Sequence, residues 1–335
     1  MINKLKVSIL IPTFNQAKYI EQTILSALKQ NYKNLEVILS DDCSTDNTEI
    51  VVKELLTKYA NLTYFKNEQN IGRVNNYHKA LYEYASGDLV LMLDGDDYLT
   101  DVEYVSQAVK LFEKNDKIVL VFAPIKTLIE HNGIIIKDKL KTDYQQIISG
   151  NVLFLDFFKG LHIPHQSSLY MRKYAMQIGY YQENIQSSDW ESVLRLILNK
   201  RVGFINKFVG VWRKHDSNAS KEINIEGIIN NTKFIENAYN RAVLLKITDR
   251  RTLAIWREEM LVRMFLNFLI KTHYLVPVQV RLLKNRIKQY DIAIYFKIKY
   301  NLKYLVFQII YKRKKLVHFL FKHLLKKESF ISDLY

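Results

Sequence analysis

Short apolar runs alternate with amphipathic segments through the N-terminal part of the chain. Apolar runs that end in turn residues predict buried strands. Between them, apolar residues recur every three or four positions, which predicts helices with one apolar face. The predicted strands cover residues 7–11, 35–39, 62–65, 89–93 and 118–122.

This alternation of strands and helices with short connections predicts an α/β protein with a mostly parallel sheet flanked by helices on both faces. In such sheets, ligands bind beyond the carboxyl ends of the strands. Three polar loops follow predicted strands, at residues 12–15, 41–46 and 94–97. We expect all three loops to line one crevice.

The most distinctive of these loops is Asp94-Gly95-Asp96-Asp97, where an apolar run stops abruptly in three carboxylates. Carboxylates this close repel each other unless a cation neutralises them. Hard oxygen ligands at this spacing suit Mg²⁺ or Mn²⁺, which would in turn hold the phosphates of a substrate. An acidic turn followed by a helix cap is the alternative interpretation.

Beyond the acidic loop the pattern predicts a mixed middle region and then a helical one. Thr100 and Glu103 have the spacing of a capping box at the start of a helix. Helical patterns prevail from about residue 221. We therefore expect an α/β domain over residues 1–220 and a helical region over residues 221–335. The middle region also predicts a hairpin turn at 131–133, strands at 169–171 and 202–212, and a helix that begins near 187–191.

The charge is concentrated near the C-terminal end. The formal net charge is +15, and residues 281–335 hold fourteen Lys or Arg against three acidic residues. The preceding residues therefore need no polyanionic partner. Between Tyr304 and Leu325, apolar blocks alternate with basic residues, a pattern typical of a segment that lies on an anionic membrane surface. A helical cap with solvated lysines is the alternative interpretation.

The apolar runs and the cysteine count indicate the cellular compartment of the protein. No apolar run approaches the roughly 18 residues of a membrane span, and residues 7–11 are too few for the apolar region of a secretory signal. Cys43 is the only cysteine, so no disulfide can form within the chain and a reducing compartment is expected. We expect a cytoplasmic protein, peripheral on the inner face of the cell membrane.

Five motifs stand in the order and at the spacing of one enzyme family. They occupy residues 7–15, 41–46, 70–72, 85–88 and 93–97. On these motifs the chain resembles the family 2 glycosyltransferases of the bacterial cell-surface polysaccharide type. The resemblance implies the GT-A fold, with a Rossmann-like nucleotide-binding half. It also implies metal-dependent, inverting transfer of a sugar from a nucleoside-diphosphate sugar to a hydroxyl of a glycan or lipid-linked acceptor, with Mg²⁺ or Mn²⁺ as cofactor.

The resemblance implies roles for residues of the donor site. Asp96 matches the metal ligand, and Asp94 matches a position near the ribose and metal. Arg73 sits where some members direct an arginine toward the nucleotide, although a solvated surface arginine is the alternative. Arg213 and His215 match an element that reaches the donor diphosphate or the metal. The expected nucleotide-sugar contacts are Pro12, Thr13, Phe14, Asn15, Asp42, Arg73, Asp94, Gly95, Arg213 and His215, and the expected metal ligands are Asp96, Asp94 and His215.

Inverting transfer needs a carboxylate on the face opposite the departing diphosphate, to take the proton of the acceptor hydroxyl. Asp189 matches the catalytic aspartate of the family, although the usual Glu-Asp pair is Ser188-Asp189 here. A helix N-cap is the alternative role for Asp189. The resemblance also implies that His165, Gln166 and Trp190 lie on the acceptor side of the site.

Two other classes of function stay open at this point. A nucleic-acid-binding protein would account for the positive charge, but the charge lies in the tail and no recognised nucleic-acid motif occurs, so we expect no nucleic-acid partner. A sugar nucleotidyltransferase would share the fold and the metal. Its Gly-rich loop with Lys or Arg is replaced here by Pro12-Thr13-Phe14-Asn15. Release of pyrophosphate rather than a nucleoside diphosphate would identify that class.

Overall fold

The computed structural model describes residues 5–137, 144–159, 163–216 and 224–312, together with the single positions 140 and 218. The chain divides into two compact units, Met1–His215 and Asp216–Tyr335. The assignment of residues 221–335 as a separate domain stays a prediction.

The first unit is built from strands and helices that alternate along the chain. Its strands are β1 (Val7–Thr13), β2 (Leu35–Asp41), β3 (Leu62–Lys66), β4 (Leu89–Met92), β5 (Tyr98–Leu99), β6 (Ile118–Phe122), β7 (Lys126–Ile129), β8 (Ile134–Ile136), β9 (Ile147–Ser149), β10 (Leu169–Met171), β11 (Arg201–Phe204) and β12 (Gly210–Lys214). Its helices are α1 (Ile20–Leu28), α2 (Thr48–Leu56), α3 (Arg73–Lys79), α4 (Tyr104–Lys114), α5 (Gly150–Asp156), α6 (Arg172–Gln177) and α7 (Ser188–Leu196).

The central sheet has eight strands in the order β3-β2-β1-β4-β10-β6-β11-β9. The first four of these are parallel to one another, whereas β10 is antiparallel to both of its neighbours. Every residue of β1, β4 and β6 is buried, as expected for strands covered on both faces. The predicted α/β class and the mostly parallel sheet are therefore confirmed.

A second, smaller sheet, which the sequence did not predict, has the order β5-β12-β7-β8. The predicted hairpin turn does join β7 to β8, with Gly133 at a positive φ of 69°. The prediction of one strand over residues 202–212 is wrong, because β11 belongs to the central sheet and β12 to the small one. The exposed Asn206 and Lys207 mark the break between them.

The predicted capping box is also wrong. Helix α4 begins at Tyr104, and the Asp101 carboxylate accepts a hydrogen bond from the Glu103 backbone N–H at 3.2 Å. The Glu103 carboxylate instead accepts from the Asn31 side chain, at 2.8 Å, and from the Ser106 hydroxyl, at 3.0 Å. It is therefore engaged with side chains and does not close a box with Thr100.

The second unit is helical in its described residues, which confirms the predicted change of pattern. Asp249 and Asp291 are N-caps whose carboxylates accept backbone hydrogen bonds. The first long helix ends before Pro277, as predicted. No helix in the described part of the chain is long and apolar enough to cross a membrane. The helices are α8 (Ile225–Asn230), α9 (Lys233–Leu244), α10 (Arg250–Leu275), α11 (Val280–Tyr290), α12 (Ile292–Lys299) and α13 (Leu302–Lys312).

Candidate active site

The loops after β1, β2 and β4 lie side by side at the carboxyl edge of the central sheet. The Asp42 backbone N–H donates to the Thr13 carbonyl at 2.9 Å, and the Gly95 N–H donates to the Pro12 carbonyl at 3.1 Å. A Cβ on Gly95 would lie only 2.9 Å from the Thr13 hydroxyl oxygen, so glycine is required for this close approach. The structure thus brings the three predicted loops into one place.

Asn15 connects the loop after β1 to the loop after β2. Its backbone has a positive φ of 53°, and its side-chain oxygen accepts from the Thr45 N–H at 2.8 Å. Its own N–H donates to the Ser44 hydroxyl at 2.9 Å. The side chain of the neighbouring Phe14 is 45% exposed. Phe14 is therefore available to a ligand, while Asn15 holds the loop in shape.

Asp42 is almost fully buried, and both of its carboxylate oxygens accept hydrogen bonds from the chain. Oδ1 accepts from the Ile71 N–H at 2.8 Å, and Oδ2 accepts from the Gly72 N–H at 2.9 Å. Asp42 therefore fixes the segment before α3, and only a remaining lone pair of an oxygen could accept from a nucleotide base.

In the acidic loop, each carboxylate has different partners. Asp94 accepts from the Tyr77 hydroxyl at 2.5 Å. Asp96 Oδ2 lies 2.8 Å from His215 Nε2. Asp97 accepts from the Arg213 backbone N–H at 2.8 Å and from the Gln166 amide at 2.7 Å.

The electrostatics of the loop favour a bound cation. Burial raises the pKa of Asp94, and the charge of Asp96 raises it further, although His165 and the Tyr77 hydroxyl act in the opposite direction. Burial and the charges of Asp96 and Asp94 raise the pKa of Asp97 well above its usual range. A positive charge beside these carboxylates would offset their repulsion.

The side chains at the acidic loop suit a metal ion that is held partly by the protein and partly by a substrate. No group of three His, Cys, Asp or Glu side chains in the described ranges is arranged to hold a metal by itself. Asp96 and His215, however, come within 2.8 Å of each other from separate elements. Mg²⁺ usually takes one or two protein carboxylates and completes its coordination with water and substrate phosphates. The Asp96 carboxylate therefore fits the protein half of such a site, and the His215 imidazole lies directly beside it.

Arg213 lies against the acidic loop rather than away from it. Its Nε donates to the Asp96 carbonyl at 2.7 Å, and its Nη2 donates to the Gln22 side chain. The guanidinium lies 5.2 Å from the Tyr19 ring centre and 4.7 Å from the Tyr98 ring centre. With these contacts Arg213 supports the backbone that carries Asp96.

Tyr19 links this support to the small sheet. Its ring stacks on the His215 imidazole, with the centres 5.0 Å apart and the planes at 25°. Its hydroxyl donates to Glu130 at 2.7 Å. No sequence pattern indicated Tyr19 or Glu130, because the two residues come from distant segments without a recognisable motif.

Asp189 is the second residue of α7, whose N-cap is Ser187, so the structure does not use Asp189 as the N-cap. The half-buried Asp189 lies near Arg73. Burial lowers the pKa of Arg73, but Tyr77, Asp189 and Asp94 raise it, and the net direction is upward. Arg73 therefore lies near both the acidic loop and the start of α7.

Of the predicted acceptor-side residues, Gln166 is used to hold Asp97, and Trp190 packs edge-on against Phe157 with the ring centres 5.3 Å apart. The His165 ring stacks on Tyr77 with the centres 5.4 Å apart. Its Nδ1 lies 3.4 Å from the Tyr181 hydroxyl. The pattern of the sequence did not identify Tyr77 or Tyr181, because the spacing of apolar and aromatic residues does not distinguish a core residue from a site residue.

The sequence matches a known family. The model described as Glycosyl transferase family 2 matches residues 8–179 of the chain. A protein described as an uncharacterized glycosyltransferase of Methanocaldococcus jannaschii is 28% identical over 215 residues, covering 63% of this chain and 72% of that protein.

Two bacterial relatives match over shorter segments. The GalNAc(5)-diNAcBac-PP-undecaprenol beta-1,3-glucosyltransferase of Campylobacter jejuni is 38% identical over 94 residues, covering 28% of this chain and 30% of that protein. The poly(ribitol-phosphate) beta-N-acetylglucosaminyltransferase TarS of Staphylococcus aureus is 32% identical over 119 residues, covering 35% of this chain and 21% of that protein. The matched segments thus span less than a third of these two bacterial relatives.

Solved structures share the fold. The crystal structure of S. aureus TarS 1-349 in complex with UDP-GlcNAc aligns with a TM-score of 0.63 at 18% identity, covering 88% of this chain and 79% of that chain. A mannosyltransferase from Pyrobaculum calidifontis, in complex with GDP-Man and Mn²⁺, aligns with a TM-score of 0.56 at 16% identity, covering 90% of this chain and 89% of that one. These likenesses concern the fold.

Proposed function

Because the chain belongs to glycosyl transferase family 2, we propose that it is a metal-dependent, inverting enzyme that uses a nucleoside-diphosphate sugar as donor. The acceptor is a hydroxyl of a glycan or of a lipid-linked glycan. The single observation that carries this proposal is the pairing of Asp96 with His215 in the acidic loop, next to the loops that follow β1 and β2. Structural neighbours bound to UDP-GlcNAc, or to GDP-Man and Mn²⁺, support the donor class and the metal.

The donor would lie along the carboxyl edge of the sheet. In the proposed arrangement, residues 12–15 and Asp42 contact the nucleoside. Asp96 and His215 would hold Mg²⁺ or Mn²⁺, whose charge favours departure of the diphosphate. Asp94 lies beside this pair, and Arg213 and Asp97 keep the loop in place.

The chemical step is one displacement at the anomeric carbon. The acceptor oxygen forms a bond to that carbon while the bond from carbon to the diphosphate oxygen breaks. Asp189 takes the proton of the acceptor hydroxyl, and the nucleoside diphosphate leaves with the bonding electron pair. General-base assistance of this kind contributes about 10² to 10⁴ in rate.

Calorimetry tests the donor and metal together. We expect the full chain to bind one of UDP, GDP and dTDP in the presence of Mg²⁺ or Mn²⁺, because the carboxylates of the acidic loop repel a diphosphate without a bridging cation. Equal binding in EDTA would contradict the metal dependence. The products of the reaction then separate the two enzyme classes, since a sugar nucleotidyltransferase would release pyrophosphate.

Exposed apolar side chains on α12 and directly after it support an additional partner, the anionic inner surface of the cell membrane. Phe296 is 43% and Tyr300 is 66% exposed, and Lys299 lies within 5.9 Å of both ring centres. Residues 281–312 carry eight Lys or Arg and one acidic residue. Most of the basic pattern predicted at residues 304–325 lies outside the described residues.

Vesicle flotation tests this partner. We expect the protein to float with vesicles that contain phosphatidylglycerol and not with phosphatidylcholine alone, because each basic residue near an anionic surface adds about 1 kcal/mol. Phe296→Ser together with Tyr300→Ser should weaken flotation. Ile50→Ser, which removes a 60% exposed side chain from the first unit, is the matched control. Equal loss in the control, or no binding by the unaltered protein, would overturn the membrane proposal.

A further inference from the structure

One polar atom of the candidate site has no partner. His165 Nε2 is buried and makes no hydrogen bond within the structure. The His165 side chain is 9% exposed, and its Nε2 lies 3.9 Å from Asp94 Oδ1, which is too far for a hydrogen bond. Buried polar atoms are nearly always paired, so an unpaired one beside a cluster of carboxylates is a candidate contact for a ligand.

The imidazole is held in a fixed orientation. Its face stacks on the Tyr77 ring with the planes at 24°, and the Tyr181 ring meets it at 72°. Tyr77 is itself fixed by its hydrogen bond to Asp94. If the Tyr181 hydroxyl donates to Nδ1, 3.4 Å away, the neutral ring carries its hydrogen on Nε2. Nε2 is then a donor that points toward Asp94.

The neighbouring groups select the chemistry of the ligand. Asp94 accepts hydrogen bonds, whereas His165 Nε2 donates one. A hydroxyl can do both, because it donates its hydrogen to one group and accepts from another. A phosphate oxygen only accepts and would be repelled by the Asp94 carboxylate.

The position of His165 favours the transferred sugar over the ribose. The loops after β1 and β2 lie on one side of β4, whereas His165 precedes β10, which pairs with β4 on its other side. Burial raises the pKa of the Tyr181 hydroxyl, and the neighbouring tyrosines and Asp189 raise it further, so Tyr181, next to His165, also lies near Asp189. The transferred sugar must occupy the space between the diphosphate and Asp189.

We infer that His165 Nε2 donates a hydrogen bond to a hydroxyl of the transferred sugar and that this hydroxyl donates to Asp94. This inference rests on the proposed function. It makes His165 a residue that recognises the donor sugar rather than the acceptor, which is a change from the role that the family resemblance implied.

Calorimetry on the full chain with Mn²⁺ tests the inference, with UDP-GlcNAc, UDP-glucose, GDP-mannose and dTDP-glucose as probes beside UDP, GDP and dTDP. For the nucleotide sugar that binds most tightly, His165→Ala should weaken binding about tenfold, the scale of one lost hydrogen bond to a neutral group. Binding of the matching nucleoside diphosphate should change less than about twofold by the same argument. His165→Gln retains a donor and should recover part of the loss.

His78→Ala is the matched control, since it removes an imidazole that stacks on Tyr82, with the ring centres 4.0 Å apart. If His165→Ala does not fold, as judged by circular dichroism, the same comparison is made with His165→Gln and His165→Asn. Equal losses for nucleotide sugar and nucleoside diphosphate, an unchanged sugar affinity, or a rise in acceptor KM alone would each overturn the inference. An unaltered protein that binds no nucleotide at all would instead overturn the proposed function.

Discussion

The two flanks of the acidic loop differ in how completely their polar groups are paired. On the side of the small sheet, Arg213, His215 and Tyr19 contact one another or the loop, and each makes specific hydrogen bonds. On the side of α7, His165 Nε2 is buried without a partner and the Asp189 carboxylate is half-buried. The first flank therefore positions the loop, and the second flank is where we propose that the ligand binds.

The largest effect should come from the flank on the side of α7, which carries the proposed catalytic base. Asp189→Asn keeps the size of the side chain but cannot accept the acceptor proton. We expect sugar transfer to fall by about 10² to 10⁴, while metal-dependent binding of the nucleotide survives. Rates at saturating donor, together with calorimetry, measure both quantities.

The control for this change is Glu183→Gln, another carboxylate that precedes α7. Near-normal transfer by Asp189→Asn would remove Asp189 from the mechanism. Glu191 could not replace it, because the buried Glu191 carboxylate accepts from the Arg195 guanidinium at 2.7 Å. The base would then have to come from another segment.

The next effect concerns Asp96, which we propose as a metal ligand. Asp96→Asn removes the charge that pairs with His215. We expect the affinity for Mn²⁺ in the presence of the nucleoside diphosphate to fall by more than about 100-fold, because changes to residues that only support metal ligands cost up to about that much. Calorimetry measures the loss. Asp88→Asn is the control, since Asp88 lies at the opposite end of β4 and accepts from the Lys6 N–H. If nucleotide binding by Asp96→Asn depended on the metal as it does in the unaltered protein, Asp96 would not be a metal ligand.

A smaller effect should appear when the supporting flank is loosened. Tyr19→Leu removes the ring that stacks on His215, and loss of such outer-shell support typically costs about 10-fold to 100-fold in metal affinity. Tyr19→Phe keeps the stacked ring and loses only the hydrogen bond to Glu130, so its loss should be smaller. Equal losses in the two variants would assign the effect to the hydroxyl rather than to stacking.

The smallest effect should come from Lys18→Met. Lys18 pairs with the same Glu130 at 2.6 Å, but its side chain is 68% exposed. Surface ion pairs of this kind contribute little to stability. We expect no measurable change in Tm or in nucleotide affinity, whereas a loss comparable to that of Tyr19→Leu would mean that Glu130 acts through both partners.

Local patterns along the sequence were enough to predict the alternation of strands and helices, the mostly parallel sheet and the places where three polar loops follow β1, β2 and β4. These features follow from local spacing, because burial repeats along each strand and helix. Asp94 and Asp96 stood out because they lie within one short acidic loop, whereas Asp189 was a candidate only through the resemblance to a family. The later hairpin and the change to a helical C-terminal region were likewise local patterns.

Which side chains meet became known only from the folded chain. His215 reaches Asp96 across 119 residues of sequence, and Gln166 reaches Asp97 across 69. The split of residues 202–212 between two sheets depends on partners elsewhere in the chain, as do the roles of Tyr19 and Tyr77. A local pattern states that a side chain is apolar, charged or on one face, but pairing over such separations is fixed by packing and hydrogen bonding in the folded chain.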